Sequence, residues 1–178
     1  GPTADMRLKP NVCAYGYAVV AGKRGLDIAH GTSFSTPLVT GFAACAWQTR
    51  PTLTSMELFQ EIEKSGDLHP YFDYAHGFGV PQATYFVKRL KTSTTPSFKL
   101  VFSDEQLKVL IDKKYFHEDY IDQNKLLYYH IENKMGYLER YYIISVYQYD
   151  VLSFMLSEFA KGNILRVHFD GYTEEYKF

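Results

Sequence analysis

The stretch that most constrains this chain runs from Ser33 to Thr49. Thr32, Ser33, Ser35 and Thr36 crowd hydroxyls between Gly31 and Pro37, and the run LVTGFAACAW follows. Thr32 or Ser33 can cap a helix there, and Pro37 falls in its first turn, where a missing N–H does no harm. The body is apolar nearly all round and contains Gly41, Ala43, Ala44 and Ala46. A helix of that kind is expected to be buried, its small residues letting neighbours approach closely. Arg50-Pro51 ends it. The segment therefore requires a sheet and further helices around it, and residues 1–90 on their own are expected to aggregate.

Around this helix the pattern is mixed. Val12 to Gly22 reads as strand and loop, and Arg24 to Asp27 as an exposed turn. Thr54 to Glu57 fits a capping box, so a second helix starts there and stops at Ser65-Gly66. A loop follows to His76, and a short helix from Gln82 to about Leu90. Lys91 to Ser97 is polar and without periodicity, a linker. Beyond it the period changes. Phe98–Phe102, Leu107–Ile111, Leu126–Ile131, Tyr141–Tyr147 and Ile164–Phe169 are strand-like runs, with a hairpin turn at Lys134 to Gly136. Leu152 to Ala160 fits a short helix or a sixth strand. The spacing predicts a small antiparallel β domain, sandwich-like, over 97–178, after a first domain over 1–92.

Composition removes several classes. Hydrophobic residues make up 46 % of the 178 positions, enough for a core and against wholesale disorder. A net charge of -1 argues against a nucleic-acid binder driven by charge. No apolar run reaches the length of a membrane span. Cys13 and Cys45 form no CxxC or metal spacing and read as free and buried, the alternative being a disulfide that nothing in the sequence supports. The chain opens Gly-Pro-Thr rather than Met and lacks a leader pattern, so it reads as a processed product or a fragment.

Three stretches share one resemblance. Gly31-Thr-Ser-Phe-Ser-Thr-Pro37 resembles the serine motif of the subtilisin-like serine peptidases, the subtilases. Gly1-Pro-Thr-Ala-Asp-Met-Arg-Leu-Lys-Pro-Asn-Val12 is similar to the family's Gly-Pro-Thr segment, and His76-Gly-Phe-Gly-Val-Pro-Gln-Ala83 to its late glycine-rich stretch. Met6 stands where glycine is usual, Asn11 where aspartate is usual, and His30 where asparagine or serine is common. The resemblance implies the C-terminal portion of an α/β parallel-sheet peptidase domain. It makes Ser33 the nucleophile, with its own N–H as one oxyanion donor. In the family the Asp, His and oxyanion Asn lie upstream of the Gly-Pro-Thr segment. The upstream part of the domain is then a required partner, and this chain alone is expected not to hydrolyse peptides. The substrate would be a polypeptide, and the parent protein secreted or held in a cell envelope. No redox cofactor is needed. Family members often bind structural calcium, but no loop here makes a convincing site.

Other constellations are weaker. Asp27, His30 and Ser33 lie too close in sequence for separate aiming of base and nucleophile, so Asp27 reads as a turn acid and His30 as a loop side chain. His69 and His76 flank a loop without a carboxylate at a suggestive spacing. His117-Glu118-Asp119 and Asp104/Glu105 are poor metal candidates, and His130 and His168 read as sheet residues. The tyrosine clusters Tyr128-Tyr129, Tyr141-Tyr142 and Tyr147/Tyr149 read as half-buried sheet residues. The rival to the peptidase reading is a non-catalytic remnant that binds a partner through this aromatic β domain.

Overall fold

The computed structural model describes residues 2–88, 95–116, 125–146 and 151–178. Among them are three helices and nine strands, in two compact units, one of residues 2–3 and 8–88 and the other of residues 4–7 and 95–178. Every strand pair among the described residues is antiparallel.

The first unit starts with a hairpin. Strands β1 (Tyr17–Gly22) and β2 (Gly25–His30) pair in register from Tyr17↔His30 to Gly22↔Gly25. The expected turn at Arg24 to Asp27 is thus shorter, and Gly25 to Asp27 already belong to β2. Three helices follow, α1 (Thr32–Thr49), α2 (Ser55–Lys64) and α3 (Ala83–Lys88). The capping box of α2 forms as expected. Glu57 N–H donates to Thr54 Oγ1 at 3.3 Å, and Thr54 N–H donates to Glu57 Oε2 at 2.8 Å. Leu58 and Ile62, four residues apart on one face, are buried with Ala46 and Phe86.

Helix α1 departs from expectation in two ways. Its N-cap is Gly31, and no side chain caps it, so neither Thr32 nor Ser33 does so. Both lie inside the helix instead, which puts Pro37 one or two residues deeper than expected. The Ser35 and Thr36 hydroxyls turn back to donate to the Thr32 carbonyl, at 3.1 and 2.8 Å. The second departure is burial. Ala46 alone of the α1 residues is buried, while Leu38 and Trp47 are 54 % and 42 % exposed. The buried cluster of this unit takes in α1 through Phe42, Ala43 and Ala46. Cys45 is exposed and Cys13 is half-buried; both are free, and neither is buried as expected.

The second unit is a two-sheet sandwich. One sheet has the order β3-β4-β7 and the other β6-β5-β8-β9. The strands are β3 (Phe98–Phe102), β4 (Gln106–Ile111), β5 (Leu126–Glu132), β6 (Leu138–Ser145), β7 (Val151–Met155), β8 (Ile164–Phe169) and β9 (Tyr172–Lys177). Alternate residues of both sheets meet in one core: Leu107 and Val109 of β4, Phe154 of β7, Leu127 and Ile131 of β5, and Leu165 and Val167 of β8. Ser97 is buried and donates to the Phe169 carbonyl, so the polar linker ends before it. Leu152 to Ala160 is both things expected, the end of β7 and then a single 3-10 turn at Leu156–Glu158. β9 has no counterpart in the expected strands. His117 to Asp119, Tyr147 and Tyr149 lie outside the described residues.

Candidate active site

Backbone hydrogen bonds tie together the three family-like stretches of the first unit in two places. The 10–13 stretch is joined to the 77–79 stretch by backbone hydrogen bonds: Phe78 N–H to Asn11 O at 2.8 Å, and Cys13 N–H to Gly79 O at 3.0 Å. The fit is close. Gly77 has φ +67, and a Cβ there would stand 2.3 Å from the Pro10 carbonyl oxygen, so only glycine suits the position. Gly31 N–H donates to Gly16 O at 2.7 Å and pins the start of α1 to the start of the hairpin. Gly31 has φ +153, again a backbone that favours glycine.

This geometry places Ser33 as the second residue of α1, exposed. Thr32 and the hydroxyls of Ser35 and Thr36 are occupied with one another. Among the described residues no side chain or backbone group hydrogen-bonds to the Ser33 hydroxyl or N–H. The first N–H groups of a helix lack intrahelical partners and carry the positive end of its dipole. An oxygen acquiring negative charge beside Ser33 would meet that end of α1.

The candidate partners of Ser33 are elsewhere. Asp27 and His30 are three residues apart on β2, and so face opposite sides of the hairpin. The Asp27 carboxylate lies over Gly22, where a Cβ would stand 2.0 Å from Oδ2. The His30 ring packs on Tyr17 across the hairpin, with centroids 5.4 Å apart. No local triad forms.

His76 is different from its sequence reading, because it does have a carboxylate. Its Nδ1 lies 2.6 Å from Asp73 Oδ2, which also accepts from the N–H groups of Ala75 and His76, at 3.0 and 2.9 Å. Asp73 is buried and the His76 ring is half-exposed. The spacing i,i+3 in a loop carried no signal, since the pair depends on the turn that closes between Asp73 and Gly77. No hydrogen bond joins His76 to Ser33 among the described residues. His69 packs on Phe78, and burial holds its pKa below the usual histidine value. Burial pushes the Cys13 thiol up, and the charges of Asp67 and Asp73 push it further, so Cys13 stays protonated.

No group of three or more His, Cys, Asp or Glu side chains among the described residues could hold a metal ion. Among those residues no helix is long and apolar enough to cross a membrane. His130 and His168 are buried sheet residues in β5 and β8, and Tyr129 is buried in the sandwich core.

The arrangement is a serine at a helix N-terminus with its hydroxyl uncommitted, the helix start pinned by the glycine-dependent junction of Gly31 with Gly16. Residues 1–80 match the subtilase family, a stretch that takes in the first unit from the Gly-Pro-Thr segment through the loop of Asp73 and His76. Over this segment the chain is similar to the subtilisin-like serine peptidases.

Proposed function

We propose that this chain is the C-terminal part of a subtilisin-like serine endopeptidase that cleaves polypeptides through an acyl-enzyme on Ser33. A histidine and an aspartate from the upstream part of the catalytic domain activate the hydroxyl. An upstream asparagine and the Ser33 N–H hold the oxyanion. The observation that carries this reading is the free Ser33 hydroxyl at the head of α1, within the family-matching segment. Helix α1 supports the upstream partner. It is apolar on most sides yet buries Ala46 alone, which is what a central helix shows when the parallel sheet that packs on it belongs to another stretch of polypeptide. The C-terminal β unit is an appended domain, and the parent protein is secreted or held in a cell envelope.

The chemistry follows from the site. Ser33 Oγ attacks the peptide carbonyl as the upstream histidine takes its proton. The histidine then gives that proton to the leaving amine, and water releases the acyl group. The test begins with the intact mass of the native protein that contains the HGTSFSTP peptide, which should exceed that of this chain. In that protein a fluorophosphonate should label Ser33. Ser33→Ala should lower peptide hydrolysis by about 10⁴-fold or more. The isolated chain should show no hydrolysis. Activity that survives Ser33→Ala would overturn the assignment.

A further inference from the structure

The edge strands β3 and β9 belong to different sheets, yet their inner faces meet along one side of the sandwich. Phe98 packs on Tyr172 with ring centroids 5.1 Å apart, and Phe102 on Tyr176 at 4.4 Å. The two rungs are equally spaced on both strands, so Leu100 comes level with Glu174 between them. The register of β9 puts the Glu174 side chain on this inner face independently. Its partner on β8 is Val167, which is wholly buried in the core. Thr173 and Glu175 turn to the other face, where they meet His168 and Arg166. A carboxylate therefore stands at the rim of the core, in a seam otherwise closed by aromatic and aliphatic side chains.

Among the described residues no cation answers it in the seam. The charged and titratable residues of the strands around it are Lys99 of β3, Lys108 of β4, Arg166 and His168 of β8, and Glu175 and Lys177 of β9. All six alternate onto the opposite faces of their sheets. Arg166 is held there by Glu175 and Glu132, at 2.8 and 2.9 Å. Asp104 and Glu105 lie in the β3–β4 turn, beyond the Phe102 rung. What Glu174 does have is the Tyr172 hydroxyl, which donates to its carboxylate. Burial outweighs that bond and holds its pKa above the usual carboxylate value.

We propose that the β3–β9 seam is an acid-tightened closure of the C-terminal unit, with Glu174 as its titrating group. Protonated, the Glu174 carboxyl is a neutral neighbour for Leu100 and the rings, and the seam shuts on it. Ionised, it demands water, and β9 parts from β3 to admit it. The folded seam binds the proton more tightly than the unfolded chain does. Stability from this group is therefore complete below pH 4.5, the usual glutamate value, and is lost as pH rises through the raised one. A carboxylate held by a cation has the opposite dependence. The closure stands apart from Ser33 and does not depend on the peptidase reading.

The test is amide hydrogen exchange of the full chain, followed strand by strand and corrected for the intrinsic effect of pH. The parent chain and Glu174→Gln are compared at each pH, so that His168, which titrates in the same range, cancels. The ratio of protection in β9, variant over parent, should rise about twofold or more between roughly pH 4.5 and 7, and should stay level in β5. Tyr172→Phe keeps the ring and removes the one donor. Its loss of β9 protection over the same range should be steeper than the parent's, and this variant carries the test if Glu174→Gln folds poorly. A ratio that does not change with pH overturns the proposal. So does an equal change in β5, which would assign the effect to the whole unit and not to the seam. So does a loss in Tyr172→Phe no steeper than the parent's.

Discussion

Asn11 donates its side-chain amide to Glu63 Oε1 at 2.7 Å, fastening the loop before β1 to α2. This explains a departure of the sequence from the family. An aspartate, usual at this position, would set two carboxylates against each other. Asn11→Asp should destabilise the chain by about 1–2 kcal/mol at neutral pH, through a lost hydrogen bond and like-charge repulsion. The loss should shrink below pH 5, where the pair can share a proton. Adding Glu63→Gln should restore stability at neutral pH. Urea unfolding of the single and double variants at two pH values reads this directly. A pH-independent loss would show that repulsion is not its cause.

Glu61 ties the C-terminal end of α1 to α2 and α3. Its carboxylate accepts from Arg50, from Lys64 at 2.9 Å and from the Tyr85 hydroxyl at 3.0 Å. Burial pushes its pKa up, but the hydrogen bonds from Lys64 and Tyr85 and the charge of Lys64 more than offset this and hold it below the usual range. Glu61→Gln keeps the shape and removes the charge, leaving the partly buried Arg50 guanidinium without its counter-ion. We expect a loss of about 1–3 kcal/mol. The difference from the parent chain should vanish as pH falls through the lowered Glu61 pKa, where the parent loses the same charge. A thermal-unfolding series between pH 7 and 3 checks both.

These features differ in how far they could be read from sequence. The Thr54–Glu57 box was legible because both partners lie within one turn and the backbone of any helix start brings them together. The Ser33 motif was legible because glycine and hydroxyl spacing around a strained turn tolerates few substitutes. β9 was not, because Tyr172-Thr-Glu-Glu-Tyr-Lys is an edge strand paired on one side only, and such a strand can carry charge without cost to the core. The Asp73–His76 pair was missed because a loop has no period to announce it. The exposure of α1 reversed its reading for another reason. An apolar helix states that it should be covered, but not by which stretch of polypeptide.

His168 provides a pH test in the β unit. Its Nδ1 lies 2.8 Å from Thr173 Oγ1, and burial pushes its pKa down to about 4, against a partial rise from Asp170. The folded chain therefore keeps the ring neutral where the unfolded chain, near 6.5, takes up a proton. Stability from this group is complete above pH 6.5 and is lost as pH falls from 6.5 toward 4, by up to about 3 kcal/mol. His168→Gln should lower stability at pH 7.5 yet flatten its decline between pH 6.5 and 4.5. A decline of equal slope in both chains would assign it to other groups. The carboxylates of Asp170 and Glu61 are held low, so the stability they contribute starts to fall only near pH 5, at the acid end of this window.

The hairpin carries the last prediction. Cross-strand partners share a face, so Tyr17, Val19 and Ala21 lie with His30, Ile28 and Leu26. Val19, Leu26 and Ile28 are 58 %, 79 % and 61 % exposed, which makes a continuous apolar face on a two-stranded sheet. A hairpin of two strands is marginal by itself, and an apolar face of this kind promotes association. The isolated chain should therefore self-associate in sedimentation at moderate concentration. Ile28→Ser with Val19→Thr should suppress that association while changing unfolding stability by less than about 0.5 kcal/mol, because exposed side chains contribute little to the fold. If the double variant instead loses several kcal/mol, the face is packed within the chain in solution.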